Sequence, residues 1–244
     1  MRLVQITDAH LYADKQARSR AGVPWQHLER VLEAVIAERP DFVVLTGDVS
    51  QDETAASYAL AMEAMSPLTC PWTWLAGNHD QPSLMQAEHP LVDEVDLSAW
   101  RLLLLHTPVA GEPYGRLGPE ALAALSTTLA TDERPTLIAM HHPPVDVGAA
   151  WMDAIGLQDR EAFWQVVGAC PQVKVIVFGH VHQAYAERHL AGEHEVAVYG
   201  CPAISDQFMP GAEQFMIDEA SRPGYRVLDL KGGQWETWLE RVSV

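Results

Sequence analysis

Residues 72–80 read Trp-Thr-Trp-Leu-Ala-Gly-Asn-His-Asp, an apolar strand-like run that ends in metal-binding side chains. Four other apolar runs end in the same way: at Asp8-Ala9-His10, Gly47-Asp48, His141-His142-Pro143 and Gly179-His180-Val181-His182. In α/β sheets, ligands bind beyond the carboxyl ends of the strands, where residues distant in sequence converge. The repeated pattern therefore predicts an α/β fold with a metal site at one sheet edge.

The spacing within these motifs suggests how the side chains reach a common centre. In Asp8-Ala9-His10 and His180-Val181-His182, the two outer side chains of an extended segment point the same way. Glycines at 47, 77 and 179 would permit the tight backbone turns that such a presentation needs. Each motif alone is common by chance, whereas five together indicate a site.

Strand-like and helical patterns alternate along the chain, as is typical of α/β proteins. A helix is predicted to begin at Pro24 and to end before Pro40. The other predicted elements are strands at 2–6, 42–46, 72–75, 102–105, 136–140, 173–178, 196–199, 224–230 and 234–239, and helices at 53–65, 118–130 and 158–168. No repeat or low-complexity linker divides the sequence, so residues 1–244 are predicted to form a single domain.

Composition narrows the classes of function. The formal net charge of −17 argues against an extended nucleic-acid partner, and any anionic substrate should be small and bound through cations. Three widely spaced cysteines indicate neither a disulfide framework nor a cysteine zinc site. The N-terminus has no secretory signal pattern, and the apolar runs are shorter than the ~20 residues of a membrane helix. A cytoplasmic protein with no membrane partner is expected.

The motif order resembles that of the calcineurin-like metallophosphoesterase superfamily. Within it, QITDAHLYADK at 5–15, MHHPPV at 140–145, GHVHQ at 179–183, Gln207-Phe208 and Pro223-Gly224-Tyr225 resemble the bacterial class III cyclic nucleotide phosphodiesterases. The resemblance implies a four-layer α/β/β/α sandwich with two mixed β-sheets. It also implies two metal ions at the edge of these sheets.

The same resemblance implies a set of ligands. It assigns Asp8, His10 and His182 to one metal, Asn78, His141 and His180 to the other, and Asp48 to both. A bridging carboxylate offsets the repulsion between two cations, and imidazole ligands favour transition metals such as Fe and Mn, with Zn or Co as substitutes. In the His-x-Pro pattern the ligand is the first histidine, which leaves His142 as a supporting residue or a substrate contact.

His79 resembles the catalytic histidine of the family, which touches phosphate oxygen or protonates the departing alkoxide. Asn78 and His79 are thus expected to contact substrate. Asp52 and Asp80 are candidates to orient His79, but either carboxylate could equally cap a turn or helix. His106 ends a strand, but it is not assigned to the site. The other four histidines are predicted to be surface residues: His27, His89, His189 and His194.

The resemblance implies hydrolysis of 3',5'-cyclic AMP to 5'-AMP through attack of a hydroxide that bridges the metals. Segment 144–157, with Trp151 and Met152, could form a rim over the base, or Trp151 could simply pack a loop. The alternative is another small phosphodiesterase, such as a glycerophosphodiesterase, because the ligands do not select the substrate. A metal-free interaction module would not need seven ligands. The sequence leaves the oligomeric state open, a homodimer included.

Overall fold

The computed structural model describes all residues 1–244 and contains eleven β-strands and six α-helices. In chain order they are β1 (Arg2–Ile6), α1 (Pro24–Ala37), β2 (Phe42–Thr46), α2 (Ala55–Met65), β3 (Trp72–Leu75), α3 (Pro82–Glu88), β4 (Glu94–Leu97), β5 (Trp100–Leu105), α4 (Gly118–Ala130), β6 (Thr136–Met140), α5 (Ala150–Asp153), α6 (Arg160–Gly168), β7 (Val173–Phe178), β8 (Tyr185–Ala191), β9 (His194–Gly200), β10 (Gly224–Lys231) and β11 (Gln234–Arg241). Every predicted strand and helix is confirmed, with bounds that differ by a few residues.

Four elements were missed by the sequence prediction: α3, β4, α5 and β8. Two of these are edge strands of a sheet, and their sequences are polar: β4 reads EVDL and β8 reads YAERHLA. Edge strands carry charged residues because one side of the strand faces water. The two helices are short, at seven and four residues, so neither displays a full helical period.

The strands form two mixed sheets. The first has the order β11-β10-β1-β2-β3, and the second has the order β4-β5-β6-β7-β9-β8. In the first sheet β1, β2 and β3 are parallel while β10 and β11 run antiparallel to their neighbours. In the second, the four inner strands are parallel and each edge strand is antiparallel.

Alternating side chains of the central strands explain the layering. In β6, Ile138 and Met140 belong to a core shared with α4 and α6, whereas Leu137 and Ala139 belong to the core between the two sheets. Strand β2 divides its side chains in the same way, between the core under α1 and α2 and the core between the sheets. Because both faces of these strands are covered, they read as continuous apolar runs. The four-layer α/β/β/α arrangement with two mixed sheets is confirmed.

Hydrogen bonds across the sheets bring their strand ends together at one edge. The side-chain amide of Gln5 in β1 donates to the carbonyl of Phe178 at the end of β7, at 3.0 Å. The imidazole of His141, just after β6, bonds through Nδ1 to the carbonyl of Thr46 at the end of β2, at 2.8 Å. The segments that follow β1, β2, β6 and β7 consequently face one another.

The prediction that His27 lies at the surface was wrong, because the residue is only 5% exposed. The ring lies against Gly22, where an added Cβ would sit 2.4 Å from Nε2. His89 and His189 are half-buried and stack on Trp72 and Trp164, with centroid distances of 4.1 and 3.8 Å. No helix of the chain is both long enough and apolar enough to cross a membrane.

Candidate metal centre

Two groups of buried side chains converge at this sheet edge, with the potential ligand atoms of each group within 4.8 Å of one another. The first group is Asp8, His10, Asp48 and His182, and the second is His141, His142 and His180. They come from segments after β1, β2, β6 and β7. The convergence expected from four of the five motifs is therefore present in the fold.

Asp48 lies between the two groups. Its Oδ2 is 3.5 Å from Nε2 of His10 in the first group and 3.3 Å from Nε2 of His141 in the second. The same nitrogen of His141 is 3.1 Å from Oδ1 of Asn78 and 3.2 Å from Nδ1 of His180. Asn78 thus joins the second group, and the Asp48 carboxylate faces both.

Hydrogen-bond acceptors, two from the backbone and one from a side chain, hold three of the histidine rings in one orientation. The Nδ1 atoms of His10, His141 and His182 lie 2.9, 2.8 and 2.6 Å from the side-chain oxygen of Gln51, the carbonyl of Thr46 and the carbonyl of Asp206. Because these partners are acceptors, they assign a proton to Nδ1 and turn Nε2 toward the centre. The motifs did not reveal these acceptors, and only Gln51 could have been noticed, three residues after Asp48.

Backbone conformation at the predicted ligands differs from the extended geometry expected for them. Eight non-glycine residues have positive φ, and five of these are predicted ligands: Asp8 (56°), His10 (47°), Asp48 (49°), His180 (67°) and His182 (49°). Left-handed backbone is costly for such residues and persists where the surroundings impose it, often at functional sites. The paired side chains therefore converge through left-handed turns after the strands, and the expectation of extended segments was wrong.

Two glycines make this crowding possible. Gly47 adopts a φ of +91°, which side chains rarely tolerate. Gly77 has an ordinary φ, but a Cβ there would lie 2.1 Å from Oδ1 of Asp48. Gly77 is thus required for close approach rather than for an unusual backbone angle.

The electrostatics combine strong burial with close carboxylates. Burial lowers the pKa of His10 to about 4 and holds the pKa of His180 well below its ordinary value. Burial would also lower the pKa of His141, but the charge and hydrogen bond of Asp48, together with Asp8 and the Thr46 carbonyl, raise it to about 9. Burial likewise opposes protonation of His182, but the charge and hydrogen bond of Asp8, together with the Asp206 carbonyl and Asp48, raise its pKa. A bound cation would replace the protons on His141 and His182.

The donor set fits a pair of transition metal ions. Nε2 of His10 is 3.2 Å from Nε2 of His182, and two such nitrogens repel unless a proton or a cation lies between them. Nε2 of His180, a predicted ligand, is buried without any hydrogen-bond partner. Imidazole nitrogens, carboxylates and one amide oxygen suit Mn, Fe, Zn or Co.

His79 lies at the border between the metal groups and solvent. Its backbone N–H donates to Oδ1 of Asp48 at 2.9 Å, and its half-buried ring packs edge-on against His10 at a centroid distance of 5.0 Å. Neither Asp52 nor Asp80 bonds to this ring. Asp80 accepts from the N–H groups of Val49, Ser50 and Gly77, while Asp52 accepts from Ala13 and Thr54, so both carboxylates order loops.

His142 is fully buried, which removes one of the two roles expected for it. With no exposed surface it does not contact substrate in an open cavity. Its Nδ1 lies 2.7 Å from Oγ1 of Thr107, and its ring packs against His141 and His180 at centroid distances of 4.9 and 4.8 Å. These contacts fit the role of a supporting residue.

A cavity of about 590 Å³ opens over the first metal group. His10, His79 and His182 line its inner side, and Arg18, Arg20 and Phe215 line its outer side.

Segment 144–157 does not line this cavity, so the predicted rim was wrong. Met152 is 1% exposed, and His106 lines a different cavity, where its Nε2 lies 3.4 Å from Asp93.

Comparison with known proteins identifies the family. The profile of the calcineurin-like phosphoesterase family matches residues 1–184. The chain belongs to the calcineurin-like phosphoesterase family. With the buried ligand groups, this membership makes it a metal-dependent phosphoesterase.

Several full-length relatives of this calcineurin-like phosphoesterase have curated names. The 3',5'-cyclic adenosine monophosphate phosphodiesterase CpdA of Vibrio vulnificus (strain CMCP6) is 39% identical and aligns over 100% of this chain and 90% of its own length. CpdA of Pseudomonas aeruginosa is 36% identical over 99% of this chain and 90% of its own. CpdA of Escherichia coli (strain K12) is 33% identical over 100% and 90%. The chain is thus homologous over its full length to CpdA-type proteins.

Solved structures agree on the fold. A dimetal phosphatase from Danio rerio superposes with a TM-score of 0.71 at 14% identity, covering 99% of each chain. Purple acid phosphatase from yellow lupin seeds superposes with a TM-score of 0.64 at 14% identity, covering 98% of this chain and 51% of its own. The two-sheet architecture is that of metallophosphatases.

Proposed function

We propose that this calcineurin-like phosphoesterase hydrolyses 3',5'-cyclic AMP to 5'-AMP. The observation that carries the proposal is full-length similarity to proteins named as cyclic AMP phosphodiesterases, at 33–39% identity for the CpdA sequences. Such similarity favours a cyclic nucleotide over a glycerophosphodiester, which the ligand groups alone do not separate. The substrate would be a small anion, in agreement with the net charge of −17.

Seven side chains are proposed as ligands of two metal ions, Fe or Mn. Asp8, His10 and His182 would hold one ion, Asn78, His141 and His180 the other, and Asp48 both. The position of Asp48 Oδ2 within 3.5 Å of a ring nitrogen from each group supports the bridging role. When bound, such ions neutralise phosphate charge, lower the pKa of coordinated water and thereby supply the attacking hydroxide.

The remaining roles belong to side chains at the border of the cavity. His79 is proposed as the catalytic residue that gives a proton to the ribose O3' as the P–O3' bond breaks. Its half-buried ring lines the cavity beside His10, where a bound phosphate would meet it. Asn78 would orient the phosphate through its amide. Ser205 and Gln51 hold the surrounding segments, through bonds to the Asp8 carbonyl at 2.8 Å and to His10 at 2.9 Å.

We further infer a single domain over 1–244, because β10 lies beyond the family match yet pairs with β1 in the same sheet. A cytoplasmic location agrees with three cysteines that are all free.

The test is a substrate panel after reconstitution with Mn²⁺ or Fe. It would contain 3',5'-cyclic AMP, 3',5'-cyclic GMP, 2',3'-cyclic AMP, glycerophosphodiesters and bis(p-nitrophenyl) phosphate. The expected result is metal-dependent conversion of cyclic AMP to 5'-AMP without appreciable 3'-AMP, read by product chromatography. Formation of mainly 3'-AMP, or cleavage of glycerophosphodiesters with no turnover of cyclic AMP, would contradict the proposal and indicate a phosphodiesterase of different specificity.

A further inference from the structure

The outer side of the cavity carries an aromatic and a cationic side chain, Phe215 and Arg20. Binding of metal ions does not explain the presence of either. Phe215 is a large apolar side chain that is 45% exposed. The guanidinium of Arg20 lies 4.7 Å from the centroid of the Phe215 ring. Both side chains line the cavity that also contains His79.

Stacked aromatic rings fix Phe215 relative to the metal groups. The ring of Phe208 lies parallel to that of His182, with an interplanar angle of 2° and a centroid distance of 3.9 Å. Phe215 packs edge-on against Phe208 at 5.2 Å and against Trp151 at 5.4 Å. Phe215 is therefore one ring further from the centre than Phe208, and Trp151 supports it from behind.

Arg20 is tied to the same centre by a different route. The Asp206 carboxylate accepts from the Ser19 hydroxyl and the Ala21 N–H, each at 2.7 Å, and from the Arg20 N–H at 3.3 Å. The carbonyl of Asp206 also accepts from Nδ1 of His182 at 2.6 Å. Asp206 thus links the loop that carries Arg20 to His182, a proposed metal ligand.

We propose that Phe215 and Arg20 form the surface that binds the nucleobase of the substrate. This inference rests on the proposed function, because it presumes a nucleotide phosphate held over His10 and His79. A cyclic nucleotide carries its base on the side of the ribose away from the phosphate, so the base reaches outward along this wall. Aromatic rings and guanidinium planes stack on any base. A glycerol group has no planar face and would not stack here.

The experiment compares two ligands that share a phosphate and a ribose but differ in the base. Binding of 5'-AMP and of ribose 5-phosphate to the metal-loaded protein would be measured by calorimetry, alongside kcat and KM for cyclic AMP. In Phe215→Ala, the Kd of 5'-AMP and the KM of cyclic AMP should rise on the order of 10-fold, the usual loss on removal of one stacking ring. The Kd of ribose 5-phosphate and the metal content should stay unchanged.

Four further variants test this surface, and the two at Phe215 separate stacking from packing. Phe215→Trp retains a planar ring and should restore binding of 5'-AMP, while Phe215→Leu retains bulk without a ring and should not. Arg20→Ala should weaken binding of 5'-AMP in the same selective way. Met216→Ala changes the neighbouring exposed apolar residue, 53% exposed and outside the cavity, and should leave all constants unchanged.

The outcomes distinguish this inference from the proposed function. If the parent protein cleaves cyclic AMP but Phe215→Ala binds 5'-AMP as tightly as the parent, the base surface lies elsewhere. Equal losses for 5'-AMP and ribose 5-phosphate would likewise overturn it, because Phe215 would then act on the phosphate site. A parent that does not cleave cyclic AMP at all would overturn the proposed function instead.

Discussion

The inner and outer sides of the cavity are built in opposite ways. On the inner side, His10 and His182 are at most 8% exposed, have positive φ, and are each fixed through Nδ1 by an acceptor. On the outer side, Arg20 and Phe215 are exposed and belong to loops, with no helix or strand of their own. The proposed metal ligands, which need a fixed geometry, thus lie just after strands, whereas the proposed base-binding residues lie on loops that can vary without disturbing that geometry.

The largest effect should come from removing the residue shared by both metal groups. Asp48→Ala is expected to lose both metals and nearly all activity, because it removes the carboxylate proposed to bind both ions and with it several kcal/mol of transition-state stabilisation. Asn78→Ala should weaken only the second metal site. Elemental analysis of both purified variants checks this, with melting temperatures to confirm folding. Two metals per chain retained in Asp48→Ala would show that the ligand assignment is wrong.

A smaller effect is expected at His79, where the inner side meets the cavity. His79→Ala should reduce kcat/KM for cyclic AMP by about 10²–10⁴-fold, because the departing ribose oxygen is strongly basic and needs a proton. Hydrolysis of bis(p-nitrophenyl) phosphate should suffer far less, since nitrophenolate leaves readily without one. The ratio of the two losses, converted to free energy, isolates proton donation from phosphate contact.

Metal content must be equal in the parent and in His79→Ala for that comparison to hold. The backbone N–H of His79, which bonds Asp48, is retained in the variant. Losses of the same size on both substrates would reject proton donation and leave His79 as a residue that positions phosphate.

The difference between the two sides also explains what the sequence could predict. The inner side was predictable because each ligand follows a recognisable apolar strand, and the edge at which strand ends meet follows from the α/β pattern. The fold followed from the same strands, whose two covered faces make them uniformly apolar. The left-handed turns at Asp8 and His10 were not predictable, since only the surrounding backbone imposes them.

The outer side was not predictable for a different reason. Arg20 and Phe215 are nearly 200 positions apart and belong to loops without periodicity, so no local pattern joins them. Segment 144–157, with Trp151 and Met152, allowed two interpretations, a rim over the base or a packed loop, and Trp151 packs against Phe208 and Phe215. Similarly, Thr46 and Asp206 orient histidines through backbone carbonyls, which every residue has.

The last prediction concerns the hydrogen bond that orients the His10 ring. It tests how much this bond contributes to metal binding. Gln51→Met preserves the size of the side chain but removes the acceptor that lies 2.9 Å from Nδ1 of His10. Outer hydrogen-bond partners of metal ligands typically contribute 10–100-fold in metal affinity or activity. We therefore expect affinity for one metal to fall by about that factor, while the other ion is retained.

Titration with Mn²⁺ against a competing chelator measures this loss, and excess metal should restore most of the activity because all seven proposed ligands remain. Arg18→Gln is the matched control: Arg18 lines the same cavity but contacts no metal group, so its metal affinity should equal that of the parent. A loss of metal affinity in Gln51→Met but not in Arg18→Gln would show that Gln51 supports the metal ligands rather than the outer side of the cavity. Unchanged metal affinity in Gln51→Met would mean that the left-handed backbone at His10 orients the ring unaided, and that the fixed geometry of the inner side comes from the main chain alone.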